Sequence, residues 1–492
     1  MDEGVHRRPV PSRYCCHKLQ PSKKTPSGVP YADKVETLLA SGAASGFGAI
    51  KKTTTGNRFE YHRTADAVDT KRKAARADLT PFDEVVGLDA AAGVVHVEGL
   101  ATMETVVDFL NPLGYRIPIV PELKHITVGG AIAGVGIESG SARHGWFHQA
   151  VVEAEILTPG GAILSVSPTN EHADVFHALP NSYGTLGYVL RATLRVLPTK
   201  AACAVTTVVY GSFAAAADAM MAACEDTSAT APDFVEGLWW APDRVTVTTT
   251  TYVDAAPEGE ALGRFDGRRI FYKAVREAGT LYMSAPTYYF RWDPDWFWNI
   301  PTDAGGNLVR LLVPSRLRTS STYKYLRSLR VVKFWHRLET LWKPQGQPFV
   351  QDWAVPWSKA VEFMEKATTT PMRDGIPYML LPVRTADNRA THYPTQKEAY
   401  YLNLGTYTEI DVPYADALRA TKEIDDLCIR VYGGIKMLYS SSFLDKSTYD
   451  AVYGEIPAAT RAKADPDATR PSVFEKTAHP SVLGHEDLIL GY

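Results

Sequence analysis

Between residues 121 and 141 the chain reads Pro-Glu-Leu-Lys-His-Ile-Thr-Val-Gly-Gly-Ala-Ile-Ala-Gly-Val-Gly-Ile-Glu-Ser-Gly-Ser. Five glycines (Gly129, Gly130, Gly134, Gly136 and Gly140) stand among small residues, with almost no charge. A backbone this bare can turn through positive φ and admit a ligand close to its N–H groups. Oriented amides of that kind suit a phosphate or pyrophosphate. The same composition suits a tight turn packed beneath another element, and local spacing leaves both readings open.

Gly134-Val135-Gly136-Ile137-Glu138-Ser139 nearly matches the dinucleotide fingerprint, with Ser139 in place of the third glycine. That fingerprint opens a helix inside a βαβ unit. Here the next elements read as strand (151–157), a Thr158-Pro159-Gly160-Gly161 turn, and strand (162–166). The context argues against a Rossmann domain.

The order of parts resembles another family. After Pro-Glu-Leu come Thr-Val-Gly-Gly-Ala, Gly-x-Gly-Ile-Glu-Ser, Gly145-Trp146, and the Thr-Pro-Gly-Gly hairpin. Pro180-Asn181-Ser182-Tyr183-Gly184-Thr185-Leu186-Gly187-Tyr188-Val189 follows. This is similar to the flavin domain of the vanillyl-alcohol oxidase and p-cresol methylhydroxylase superfamily. Within it, the chain most resembles the Diminuto/seladin group of delta(24)-sterol reductases and their bacterial relatives, some of which reduce methylene-branched fatty acyl chains. The likeness runs from about residue 51 to about residue 448 and is strongest over 119–198.

The resemblance implies an α+β fold: a two-subdomain FAD-binding domain of the p-cresol methylhydroxylase type plus an α+β cap. It implies cofactor contacts from Thr127, Val128, Gly129, Gly130, Ala131, Gly134, Gly136, Ile137, Glu138, Ser139, Gly184, Gly187 and Val189. The Arg-Gly-Gly first phosphate loop of many relatives is missing. Lys51-Lys52-Thr53-Thr54 stands where the sterol-reductase group has a Lys-rich segment; a pyrophosphate contact and a solvated basic loop both remain open. No His lies in a matching context for covalent flavin attachment, His62 being nearest, so FAD is expected to be non-covalent. His125 and His144 read as hydrogen-bonding structural residues. A carboxylate at Glu138 is costly in such a loop unless paired or solvated; the flavin ribityl chain, a cap residue, or the loop itself are its candidate partners.

The 492 residues allow two or three domains, and a net charge of −3 gives no nucleic-acid signature. The expected layout is a disordered N-terminal extension over 1–30, a flavin domain over 31–200 and a cap over 201–480. In the flavin domain, strands are expected near 85–89 and 93–99, then an amphipathic helix over 101–110 and a short helix at 173–178. Five cysteines without a C-x-x-C pair fit a reducing compartment. No window has the length and hydrophobicity of a transmembrane helix, and no secretory signal is legible. The expectation is a cytoplasmic protein with peripheral membrane contact. No metal motif, nucleophile elbow or Walker loop is present.

Nine of the ten tryptophans follow residue 200. Tyr288-Tyr289-Phe290-Arg291-Trp292-Asp293-Pro294-Asp295-Trp296-Phe297-Trp298 resembles an aromatic segment of the sterol reductases. It reads as the wall of an apolar substrate tunnel, as a segment dipping into a membrane interface, or as a packed cluster. Residues 310–343 carry nine Lys/Arg and one acid, Glu339. A basic amphipathic stretch with Trp suits a membrane surface, or a solvated helix face on the cap.

Gly433-Gly434-Ile435-Lys436-Met437-Leu438-Tyr439 matches a Gly-x-x-Met-Leu-Tyr segment of the same group. Reduction of an isolated double bond needs hydride on one carbon and a proton on the other. Tyr439, Lys436, Arg291 and Tyr288 are the catalytic candidates, with Tyr407 beside them. The leading expectation is reduction of a lipid double bond with NADPH, in a sterol side chain or a methylene fatty acyl chain. The alternatives are an FAD oxidase or dehydrogenase of a sugar lactone or 2-hydroxy acid, and a flavin fold kept as a binding module.

Overall fold

A computed structural model describes residues 28–41, 49–52, 76–265, 269–294, 314, 317–320, 322, 347–368, 377–386, 391–395, 397–410, 414–440, 442–479 and 482. Helices and strands mix as α+β. The strands fall into two main sheets, one on each side of residue 200 in the sequence.

The first sheet has five antiparallel strands in the order β3-β4-β8-β6-β7. These are Val85–Asp89, Val94–Glu98, Tyr188–Arg195, Val151–Leu157 and Ile163–Val166, respectively. Both expected hairpins form, because their turns are local chemistry. A short pair, β5 (Tyr115–Arg116) with β9 (Leu197–Pro198), closes one end. The helix Met103–Leu110 is capped by Thr102, whose Oγ1 accepts from the Thr105 amide at 3.2 Å. It buries Met103, Val106, Val107 and Leu110, the apolar face expected from their spacing.

Ahead of this sheet, β1 (Ala49–Lys51) and β2 (Arg76–Asp78) pair in parallel. The helix Tyr31–Ala40 joins them in a small core with Leu38, Leu79 and Phe82. Its Lys34 is buried and bonds Glu98 at 2.8 Å and Glu84 at 2.9 Å.

The second sheet has eight antiparallel strands in the order β13-β10-β12-β11-β15-β16-β14-β17. They are Gly279–Ser284, Ala202–Tyr210, Arg244–Val253, Phe234–Ala241, Tyr378–Arg384, Tyr400–Ile410, Gln347–Pro356 and Ile435–Lys436. Helices Phe213–Glu225 and Ala360–Ala367 cover it. The helix Tyr414–Asp426 leads toward the last strand. It widens into a π turn, Leu427–Val431, before Gly433 at φ 63°.

The final helices reach back across the chain. Lys463 in Ala458–Ala464 pairs with Asp174 at 2.8 Å, and Lys476 in Val473–Thr477 donates to the Tyr183 carbonyl at 2.5 Å. Val473 and Phe474 meanwhile belong to the core beneath the second sheet. The end of the region expected as cap thus touches residues on both sides of position 200.

The aromatic stretch differs from the tunnel reading. Tyr288, Tyr289, Phe290 and Trp292 are all buried, within the cluster that also holds Phe271 and Val205. In the described part, these rings are core. Trp296, Phe297 and Trp298 lie outside the described residues, as do residues 1–27, Thr53, Thr54, His62 and nearly all of 310–343.

Candidate functional site

Thr127 caps the short helix Val128–Ala133, its Oγ1 accepting from the Gly130 amide at 3.2 Å. The other early amides are also used. Val128 N donates to Ala101 O (3.0 Å), Gly129 N to Gly99 O (2.8 Å), and Ala131 N to Thr127 O (2.8 Å). These N–H groups are thus not the free anion donors that a bare loop would offer. Their glycines answer to close backbone crossing instead. A Cβ at Gly99 would lie 1.8 Å from Val189 O, and one at Gly129 would lie 3.0 Å from Gly99 O and 3.2 Å from Val189 Cβ. Gly136 is hemmed in by Phe147 and Pro121, both at 3.1 Å. Val135 is held at φ 59°, an unusual conformation for a β-branched residue.

The unmet polar groups are in the later turn. Asn181 (φ 64°), Tyr183 (φ 48°), Gly184 (φ 78°) and Gly187 (φ 138°) fold residues 181–187 tightly. A Cβ at Gly187 would come within 2.5 Å of Leu157 O. Tyr183 N donates to Ala133 O at 3.1 Å, which ties this turn to the glycine segment. Asn181 Oδ1 and Ser182 Oγ are buried without a hydrogen-bond partner. Buried polar groups are rarely left unmet. Such a set of donors and acceptors fits the polar chain of a dinucleotide. Sequence reading placed Asn181 and Ser182 in the motif without making them site residues; Asn next to Ser before Gly-x-x-Gly was the available signal.

Glu138 and Ser139 are buried and meet residues from beyond position 200. Arg291 Nη2 bonds Glu138 Oε1 at 2.8 Å, Ser139 Oγ at 3.2 Å and Glu236 Oε2 at 2.6 Å. Tyr288 OH lies 3.2 Å from Ser139 Oγ, and its carbonyl accepts from Arg291 at 2.9 Å. Burial raises the Glu138 carboxyl, and the Arg291 charge opposes that rise. Arg291 and Tyr288 are fully enclosed. Their geometry is that of a cross-sheet charge network, not of side chains open to a substrate.

Lys436 is likewise enclosed. Its Nζ pairs with Asp425 Oδ1 at 2.7 Å, bonds Gln351 Oε1, and sits 5.1 Å from the Trp353 ring. Burial lowers its pKa while Asp425 raises it. It anchors the segment that carries Tyr439.

Tyr439 is half-buried and packs against the cluster of Val135, Trp146 and Met437, as does Ile137 of the glycine segment. Its hydroxyl is 3.2 Å from Tyr407 OH. Tyr407 OH in turn donates to Asp352 Oδ2 at 2.9 Å, and Asn403 Nδ2 donates to Asp352 Oδ1 at 2.7 Å. Burial pushes the Asp352 carboxyl up to about 7 against the opposing effect of these bonds. Glu122, from the loop before the glycine segment, is raised well above the ordinary range by burial and by the charges of Glu138 and Asp352. Sequence reading missed Asp352 and Glu122. For Asp352 the signal was a carboxylate inside the strand-like run Phe349-Val350-Gln351-Asp352-Trp353-Ala354-Val355.

Of the remaining candidates, His125 Nδ1 bonds Ser320 Oγ at 2.8 Å. His144 is held neutral, pushed down to about 3 by burial and by Arg116. Lys51 pairs with Asp78 at 2.7 Å on the surface.

Residues 61–167 match a family model described as an FAD binding domain. With that domain and the relatives it brings, the chain is an FAD-dependent oxidoreductase with a flavin domain of the p-cresol methylhydroxylase type. It is similar to Delta(24)-sterol reductases. The human protein is 27% identical over 413 residues, covering 80% of this chain and 76% of the relative. That of Pisum sativum is 33% identical over 193 residues, 38% of this chain and 34% of the relative. A shorter likeness, 30% over 127 residues, 25% of this chain and 27% of the relative, is to the decaprenylphosphoryl-beta-D-ribose oxidase of Mycolicibacterium smegmatis.

Proposed function

We propose that this protein reduces a carbon–carbon double bond of a lipid, a sterol side chain or a methylene fatty acyl chain, with NADPH as electron donor. The observation that carries the reading is Tyr439: a phenol from the cap that packs against the cluster holding Val135, which Ile137 of the glycine segment also meets. The names of the relatives support it. FAD bound without a covalent link would supply the hydride. The chain's own residues hold the cofactor and deliver the proton. The turn 181–187 offers Asn181 Oδ1 and Ser182 Oγ, and the segment 127–139 with Val189 shapes the adjoining wall. Tyr439 O–H protonates the carbon opposite the hydride. Residues 31–200 form the flavin domain in this reading, and the strands after 201 form the cap that recognises the substrate.

Among the described residues no helix is long and apolar enough to cross a membrane. A lipid substrate would reach the site through surface contact, for which the basic stretch 310–343 is the candidate. Apolar burial gains about 0.8 kcal/mol per CH₂, enough for affinity without charge pairing. The test is anaerobic: NADPH should bleach the bound flavin, and a Δ24-sterol in detergent micelles should restore its colour. Rapid peroxide formation with a sugar lactone or 2-hydroxy acid, together with no bleaching by NADPH, would replace this reading with the oxidase one. The oxidase likeness over a quarter of the chain favours that alternative.

A further inference from the structure

We propose that Asp352 is the proton store of this site, and that it recharges Tyr439 through the hydroxyl of Tyr407. The inference rests on the reductase reading, in which Tyr439 gives a proton to the substrate carbon.

Three observations carry it. The oxygens are in hydrogen-bond contact in series, Asp352 Oδ2 to Tyr407 OH at 2.9 Å and Tyr407 OH to Tyr439 OH at 3.2 Å. The far oxygen of the carboxyl is fixed by Asn403, so Oδ2 faces the chain of hydroxyls. The strand opposite makes room for the carboxyl: Asp352 pairs across the ladder with Gly405, where a Cβ would lie 2.7 Å from Asp352 Oδ1. A phenol that has given up its proton can take another from a hydrogen-bonded neighbour. Asp352 is 1% exposed, so a proton held there is kept apart from bulk water and in line with the two hydroxyls.

The step balances. One alkene carbon receives a hydride with its two electrons as the π bond breaks. The electron pair left on the other carbon takes the Tyr439 proton and forms the second C–H bond. With Asp352 as the neutral acid, its Oδ2–H donates to Tyr407 O, the reverse of the bond that the carboxylate accepts; Tyr439 then takes the proton of Tyr407, and Tyr407 that of the Asp352 carboxyl. Asp352 ends as a carboxylate and is recharged from solvent between turnovers.

The ionisable groups facing Asp352 come from several elements. Tyr407 lies on β16, Lys436 on β17, Tyr439 just beyond it, Tyr393 in the loop 391–395, and Glu122 on the flavin side. Lys436 favours the carboxylate, but it is already paired with Asp425. The Asp352 charge in turn raises the Glu122 carboxyl. Burial then keeps the proton on Asp352 into the neutral range.

The experiment uses the full FAD-loaded chain. Infrared difference spectra of wild type against Asp352→Asn, recorded through the neutral range, follow the protonated carboxyl directly. Stopped-flow measurements separate flavin reduction by NADPH from reoxidation by a Δ24-sterol in micelles. The expected result is a carboxyl that titrates near neutrality and a reoxidation rate that falls about 100-fold in Asp352→Asn and Tyr407→Phe. The loss should appear in kcat more than in KM, and the neutral pH inflection should vanish in Asp352→Asn and return in Asp352→Glu. A carboxyl titrating in the ordinary acid range, or an Asp352→Asn enzyme with the parental kcat and pH profile, overturns the proposal. If the wild type does not turn over the sterol, the reductase reading fails. The infrared titration then decides the store alone, and a carboxylate at neutral pH overturns it too.

Discussion

Arg291, just beyond the helix Ala285–Tyr289, bonds Glu138 of the glycine segment at 2.8 Å, across 153 positions of sequence and with both side chains excluded from water. The same guanidinium bonds Glu236 at 2.6 Å, so one cation answers two buried carboxylates. One charge balance therefore ties the glycine segment to a strand of the second sheet.

Removing that cation leaves two uncompensated buried acids. Arg291→Met is expected to lower stability by about 3–5 kcal/mol. Thermal melting measures this, and flavin content should fall with it, because Glu138 is released from its place. Adding Glu236→Gln to the variant should recover part of the loss. A variant that melts with the parent would show that the pair carries no weight.

The unmet groups of the 181–187 turn make a signed prediction. Ser182→Ala removes a buried hydroxyl without a partner. The apo protein should gain roughly 1 kcal/mol in chemical unfolding. FAD affinity should fall at the same time, as read by fluorescence titration. A structural hydroxyl would move neither quantity in this opposed way.

Two glycines separate packing from cofactor contact. Gly99→Ala places a Cβ 1.8 Å from Val189 O, against backbone that cannot yield, so folded protein should be lost. A Cβ at Gly130 meets only Thr127 Oγ1, at 2.9 Å, and the position is exposed. Gly130→Ala should therefore fold. A lower flavin content in that soluble variant would place Gly130 at the cofactor; normal content would remove it from the site.

The pH dependence of stability has a definite sign at Asp352. Its folded pKa, about 7, lies above the unfolded carboxylate value. From about pH 4 to about 7 the unfolded chain has lost this proton while the native chain keeps it, so this group's contribution makes stability fall as pH rises. Above the folded pKa the full penalty remains. Asp352→Asn should then be stabilised relative to the parent at alkaline pH, with the gap shrinking on acidification. Denaturant melts at a series of pH values measure it, and a pH-independent gap would contradict the assignment.

The hairpins of β3 with β4 and β6 with β7 and the helix Met103–Leu110 were legible because their signals lie within a few residues. Alternating or 3.6-residue apolar spacing, a Thr cap and a Thr-Pro-Gly-Gly turn need no distant partner. Tyr439 was legible through its place in a motif. The roles of Lys436 and Arg291 were not, because a cation in a sequence looks the same whether it faces a substrate or a buried carboxylate.

The sequence by itself determined the α+β class, the local elements around the glycine segment, and the order of motifs that marks an FAD-binding chain. Only the tertiary structure decided that the amides of 128–131 are already spent and that the unmet groups lie at 181–187. It also decided that Arg291 and Lys436 are internal counter-ions, and that Asp352 stands behind Tyr407 and Tyr439. The reason is physical. Propensity and turn chemistry act over a few residues, whereas protonation and hydrogen-bond supply depend on burial. Burial is set by partners such as Glu138 and Arg291 that meet only when the chain has closed.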